Sequence, residues 1–210
     1  PQFEAMSSYS GIQRLESNTE YDYIRNVNAS TTDVTAFNTI DLFDINGDGL
    51  PDRVQSKSGN TKWKVELQGH LPTGPSDSFD NLSDFGTTDL HKPSGGEGYD
   101  YISASKDTGE QTTDLADING DGWIDRILAH NDTSTKWRVQ LNTGTGFSPY
   151  TEWSSIEKMG GNSYYYIRHT SGGGETRVDL IDLDGDGLPD RIQSDGGNDF
   201  WKVQWNTGSS

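Results

Sequence analysis

Cysteine is absent from the 210 residues, which excludes both a disulfide frame and a thiolate metal site, so any staple must be built from oxygen ligands. Aliphatic bulk is scarce as well. Hydrophobic residues make up 30% of the chain, and about 42% when the 25 glycines are counted with them, against roughly 45–50% for globular domains on that count. The core is therefore thin or locally reinforced. Positive charge is the third shortage: 16 Lys and Arg stand against 33 Asp and Glu, for a net charge of −17. A field this negative repels phosphate backbones and argues against nucleic-acid binding. No apolar run approaches the roughly 20 residues of a membrane helix, and the first residues lack the basic-then-apolar profile of a signal peptide, so membrane insertion is not expected. What the chain does hold is aromatic area. Its 6 Trp, 9 Tyr and 7 Phe supply large buried surfaces per residue and argue against simple disorder.

An internal repeat organises the rest. Asp44-Ile-Asn46-Gly-Asp48-Gly-Leu-Pro-Asp52 recurs as Asp117-Ile-Asn119-Gly-Asp121-Gly-Trp-Ile-Asp125 and as Asp182-Leu-Asp184-Gly-Asp186-Gly-Leu-Pro-Asp190. Each copy has an Asp three residues upstream (Asp41, Asp114, Asp179), an Arg just after (Arg53, Arg126, Arg191) and a Trp segment downstream (Trp63, Trp137, Trp201). Tyr21-Asp-Tyr23-Ile, Tyr99-Asp-Tyr101-Ile and Tyr164-Tyr-Tyr166-Ile read as short strands, and the alternation Trp63, Val65, Leu67 reads as another. Four strands per unit, Gly-rich turns and no sustained helical period predict an all-β chain of three tandem four-stranded, propeller-like blades. The units span about 1–71, 77–144 and 145–210.

The unit boundaries carry a second pattern. An aromatic pair spaced by six precedes each Tyr segment: Phe3 and Tyr9, Phe79 and Phe85, Phe147 and Trp153. After the Trp segment, copies two and three have Asn142-Thr-Gly144 and Asn206-Thr-Gly208, whereas copy one has Gln68-Gly69-His70. The chain thus opens and closes at a repeat boundary, and its matched ends suggest head-to-tail contact that grows into a ring or a filament.

Oxygen ligands at loop positions 1, 3 and 5, Gly at 6, a backbone carbonyl at 7 and a carboxylate at 9 suit a hard cation, and calcium best. Three calcium sites are expected. The first uses Asp44, Asn46, Asp48, Asp52 and the Leu50 carbonyl; the second Asp117, Asn119, Asp121, Asp125 and the Trp123 carbonyl; the third Asp182, Asp184, Asp186, Asp190 and the Leu188 carbonyl. The third has one more formal negative charge and is expected to bind most tightly. An EF-hand is excluded, because position 12 is Gln55, Leu128 or Gln193 rather than Glu and the flanks read as strands.

The pattern Asp-x-(Asp/Asn)-Gly-Asp-Gly-x-x-Asp, followed by a Trp strand and Asn-Thr-Gly, resembles the FG-GAP and VCBS repeats of calcium-binding β-propellers, a family that includes integrin α-subunit heads, propeller lectins and propellers of secreted or toxin-complex proteins. The resemblance implies fold and calcium but no particular ligand, and three blades fall short of the four to eight of closed propellers.

Catalytic constellations are thin: His70, His91, His130 and His169 occupy non-equivalent repeat positions, and no P-loop or GxSxG elbow is present. The expectation is a non-enzymatic, extracellular, calcium-stabilised module that binds glycan or protein. A head-to-tail structural subunit, or a piece of a secreted polysaccharide-active enzyme or toxin-complex protein, are the alternatives. Asp41, Asp114 and Asp179 are expected to brace their loops through backbone bonds or through Arg53, Arg126 and Arg191. The Trp residues are expected to pack between units, and the Tyr pairs to offer an exposed face. Glycosylation sequons stand at Asn28, Asn81 and Asn131.

Overall fold

A computed structural model describes residues 12–13, 23–29, 36–57, 59–71, 74–91, 100–129, 135–157, 165–194, 197 and 199–208. Phe3, Tyr9, Tyr21, Tyr99, Tyr164, His130 and Asn131 lie outside them. All the described regular structure is β, and no helix is long and apolar enough to cross a membrane. The first repeat holds β1 (Asn26–Ala29), β2 (Ala36–Phe43), β3 (Asp52–Gln55) and β4 (Lys64–Glu66), and a hairpin of β5 (Gln68–Leu71) and β6 (Gly74–Phe79) leads into the second. The second opens with β7 (Ser83–Asp84) and continues as β8 (Ser103–Ser105), β9 (Gln111–Ala116), β10 (Asp125–Ala129) and β11 (Trp137–Gln140). The third opens with β12 (Thr151–Trp153) and continues as β13 (His169–Thr170), β14 (Thr176–Ile181), β15 (Asp190–Ser194) and β16 (Trp201–Gln204).

Each repeat is an antiparallel meander of four strands in chain order, and the register is the same in all three: Asp41 faces Val54, Asp114 faces Ile127 and Asp179 faces Ile192. The acidic loop joins the second strand to the third each time. A one-residue slip would turn every core side chain outward, so the shared register follows from the shared alternation. In the first two repeats the segment that follows returns as a fifth strand, β7 on β4 and β12 on β11.

Successive repeats are stitched through their leading strands. β8 pairs with the start of β2 (Phe37 opposite Ala104), which merges the first two repeats into one ten-stranded sheet. The third repeat keeps its own four-stranded sheet but meets the second in the same way: Gln111 N–H donates to Arg168 O at 2.8 Å and Ile167 N–H to Gln111 O at 3.2 Å.

Two matched cores sit between the repeats. The first combines Ile45, Val54, Trp63 and Val65 with Phe85, Leu90 and Ile102 of the second repeat and Phe147 from the opening of the third. The second combines Ile118, Ile127, Trp137 and Val139 with Ile156, Ile167 and Leu180. Trp63 Nε1–H donates to Asp100 O at 2.8 Å and Trp137 Nε1–H to Tyr165 O at 2.6 Å, so each buried indole is satisfied by the repeat that follows. The guanidinium of that following repeat lies over the same ring, Arg126 on Trp63 and Arg191 on Trp137.

Three expectations are corrected here. The Tyr segments are not strands: Tyr23, Tyr101 and Tyr166 lie just ahead of β1, β8 and β13, where the chain bends so that Ile102 and Ile167 drop into the cores. Nor do the tyrosines form one exposed face, since Tyr165 and Tyr166 are buried while Tyr23 is open. Finally, Trp201 does not pack between repeats. It is 65% exposed, against 1% and 2% for Trp63 and Trp137.

Candidate metal centres

The three acidic loops fold on themselves by one scheme. In the first, Asp44 Oδ1 accepts from Gly47 N–H (2.7 Å) and Asp48 N–H (3.2 Å), its Oδ2 accepts from Gly49 N–H (2.7 Å), and Asp48 Oδ1 accepts from Leu50 N–H (2.8 Å). The second repeats this with Asp117 on Gly120, Asp121 and Gly122, and Asp121 on Trp123. In the third, Asp182 takes Gly185 and Gly187, and Asp186 takes Leu188. Side chains that capture the backbone two to five residues ahead wind the chain into a tight concave turn. The turn runs through glycines with φ from +76° to +90° at both Gly positions of every loop, which is why these positions are Gly.

Position 9 is buried in each loop, and its carboxylate braces the loop against the strand that follows. Asp52 accepts from Ile45 and Gln68 N–H, Asp125 from Ile118 and Asn142 N–H, and Asp190 from Leu183 and Asn206 N–H, all at 2.7–3.1 Å. Burial raises the Asp52 carboxyl above its ordinary range and pushes Asp125 up to about 7. The backbone bonds oppose that rise, and the like charges on Asp44 and Asp48, or on Asp117 and Asp121, add to it. A cation in the turn would oppose both the burial cost and the repulsion.

The loops differ at position 3. Asn46 and Asn119 donate their amides to Asp48 and Asp121 at 3.0 and 2.9 Å, so those loops neutralise part of their own charge. Asp184 has no such donor. Its oxygen, with one each from Asp182 and Asp190, lies in a group whose members are all within 4.8 Å of one another. These hard oxygen donors, without sulfur or imidazole, fit a hard divalent cation.

The loops also touch. Asn142 Nδ2–H donates to Ile45 O at 2.7 Å and to Ile124 O at 3.2 Å, tying the second loop to the first, and Asn206 does the same with Ile118 O and Pro189 O. Asn-Thr-Gly is therefore a clamp on the loop of the preceding repeat. In the first repeat Gln68 stands at the equivalent position.

Residues 117–193 match the FG-GAP-like repeat. The matched stretch opens on Asp117, the first residue of the second acidic loop, and closes in β15, so it spans two acidic loops and the strands between them. No curated protein and no solved structure matches the chain.

Asp41, Asp114 and Asp179 do brace the strands, but not through the predicted arginines. Each accepts from the next backbone N–H at 2.9 Å, while Arg25 pairs with Asp41 and Arg168 reaches Asp179 (2.8 Å) and Asp114. Arg53, Arg126 and Arg191 turn inward. Their guanidiniums bond the backbone carbonyls of Gln13, His91 and Glu157, and Arg53 also pairs with Glu66 at 2.5 Å. That clamp was invisible in the sequence, because Gln13, His91 and Glu157 share no side-chain chemistry.

Proposed function

We propose that this chain is a calcium-stabilised, non-catalytic binding module built from FG-GAP-like repeats as successive blades of a β-propeller-type assembly. The observation that carries the reading is the third loop, where Asp182, Asp184 and Asp190 converge without the amide that relieves the other two. Calcium held by Asp182, Asp184, Asp186, Asp190 and the Leu188 carbonyl would supply the missing positive charge, and the equivalent residues of loops one and two would hold two more ions. An ion at each turn would fix the angle between second and third strands, so that a small aliphatic core suffices.

Calcium sites of extracellular modules are filled at about 10⁻⁴–10⁻³ M, and an extracellular setting is part of this reading. The ligand is glycan or protein: Trp63, Trp137, Tyr165 and Tyr166 are core residues, whereas Tyr23, Tyr150, Phe200, Trp201 and Trp205 are exposed and available to either. The non-catalytic reading is supported by the histidines, since His91 stacks on Tyr150 and His169 Nε2 lies 3.2 Å from Thr108 O. Titration calorimetry of chelator-stripped protein with calcium chloride tests the metal reading. Three equivalents should bind and raise the melting temperature. Asp186→Ala should lower that temperature in calcium and change it little in excess chelator, and an equal loss in both media would overturn the third site.

A further inference from the structure

The two ends of the repeat array are halves of an interface that the chain already makes twice. At both internal junctions the Trp of one repeat is covered by the Ile that follows the Tyr segment of the next, and Ile102 and Ile167 are 2% and 0% exposed there. In the leading repeat the same Ile is open: Ile24 is 74% exposed. Ile12 is open as well, although Leu90 and Ile156, next to the clamped His91 and Glu157, are buried in the cores. At the other end Trp201 and Leu183 are exposed where Trp63, Trp137, Ile45 and Ile118 are not. One end carries the knobs and the other the seat.

A cavity of about 240 Å³ adds a second mark. It lies at the junction of the second and third repeats, lined by Ile118, Trp137, Trp153, Leu180 and Trp205 among others. At the first junction the corresponding space is filled. Phe147 sits there, its ring 5.2 Å from Trp63 and 5.3 Å from Phe85. Phe147 follows Asn142-Thr-Gly144 by three residues and opens the third repeat, so an aromatic opening a fourth repeat is what this space would take. In the sequence, the first repeat carries Phe3 at that position.

We infer that a second copy of this chain docks head-to-tail, its first repeat seated on the third repeat of the first copy, with Ile24 and Ile12 covering Trp201 and Leu183 as Ile102 and Leu90 cover Trp63 and Ile45. Continuity with the two internal junctions defines the geometry, including edge pairing at Thr176, the β14 position that corresponds to Asn38 and Gln111. The contact between copies is weaker than the internal ones, because Gln68 replaces the Asn that would clamp Leu183. It is heterologous, so each copy keeps a free end and growth continues until a ring closes. The inference rests on the repeat frame and not on calcium, and the two are measured separately.

Light scattering over a concentration series in calcium, with Ile24→Asp and Trp201→Asp, tests it. Both residues are exposed, so both variants should fold and keep the melting temperature of the dissociated chain; Ile12→Asp and Ile181→Asp provide a second pair at the same two ends. The unaltered chain should reach at least twice its 23.1 kDa as concentration rises. Each variant alone should stay monomeric. An equimolar mixture should recover a capped dimer, since one partner retains the seat and the other the knobs, and both altered ends are acidic and cannot attract. A chain that remains monomeric into the hundreds of micromolar overturns the inference and leaves calcium binding untouched. So does a variant that self-associates like the parent, which would mean a symmetric contact, or a mixture that stays monomeric.

Discussion

The junction between repeats one and two and the junction between repeats two and three are built from the same positions, yet one is filled and the other is hollow. Phe147 meets both Trp63 and Phe85 edge-on, whereas Trp137 faces a space of about 240 Å³. The difference teaches that a repeat is not the unit of completion. The first junction is finished by Phe147 from the opening of the third repeat, and among the described residues the second has no counterpart to it. Gly86 records the same fact. A Cβ there would lie 2.6 Å from the Gly146 Cα, where the chain crosses just before Phe147, while the second junction carries Ser154 and Ser155 in that stretch.

Phe147→Ala is the largest break of this contrast. It should hollow the first junction as the second already is and cost about 3–5 kcal/mol, the range for a buried aromatic cut to Ala, read by denaturant unfolding in calcium. Gly86→Ser should follow at about 1–3 kcal/mol, since a side chain at φ +74° collides with backbone that cannot withdraw, while Ser154→Gly should cost only a few tenths. Asn142→Ala and Asn206→Ala each remove a donor from a carbonyl of the preceding loop. Each should cost about 1–3 kcal/mol and lower calcium affinity in both loops it joins, measured by unfolding and calorimetry together. Trp201→Ala should be the smallest change, within about 0.5 kcal/mol for the dissociated chain, because that indole is 65% exposed there. A loss at Trp201 comparable with one at Trp137 would erase the distinction between internal and terminal faces.

The turn of each acidic loop was readable from spacing alone. Local chemistry at Asp44, Asp117 and Asp182 dictates the loops, because carboxylates that capture amides within five residues need only their own neighbours and the two glycines. The Trp-Val alternation located the core strands for a similar reason, period two being a property of the strand itself. The Tyr segments misled, since Tyr and Ile suit a strand and a buried bend equally well, and only the preceding repeat decides between them. For Asp41, Asp114 and Asp179 the expected backbone bonds form, but the alternative arginine partners do not: Arg53, Arg126 and Arg191 are near in sequence but point into the core, whereas Arg25 and Arg168 sit just ahead of β1 and β13.

The sequence by itself determined three copies of one β meander, the position of each acidic turn and a net charge of −17, because these depend on short spacings and summed charge. Only the tertiary structure decided that Asn142 clamps a loop 97 residues away, that Phe147 finishes a core two repeats back, and that Trp201 stands uncovered. Those outcomes depend on which repeat lies beside which, and three nearly identical copies write the same letters at the middle of an array and at its ends.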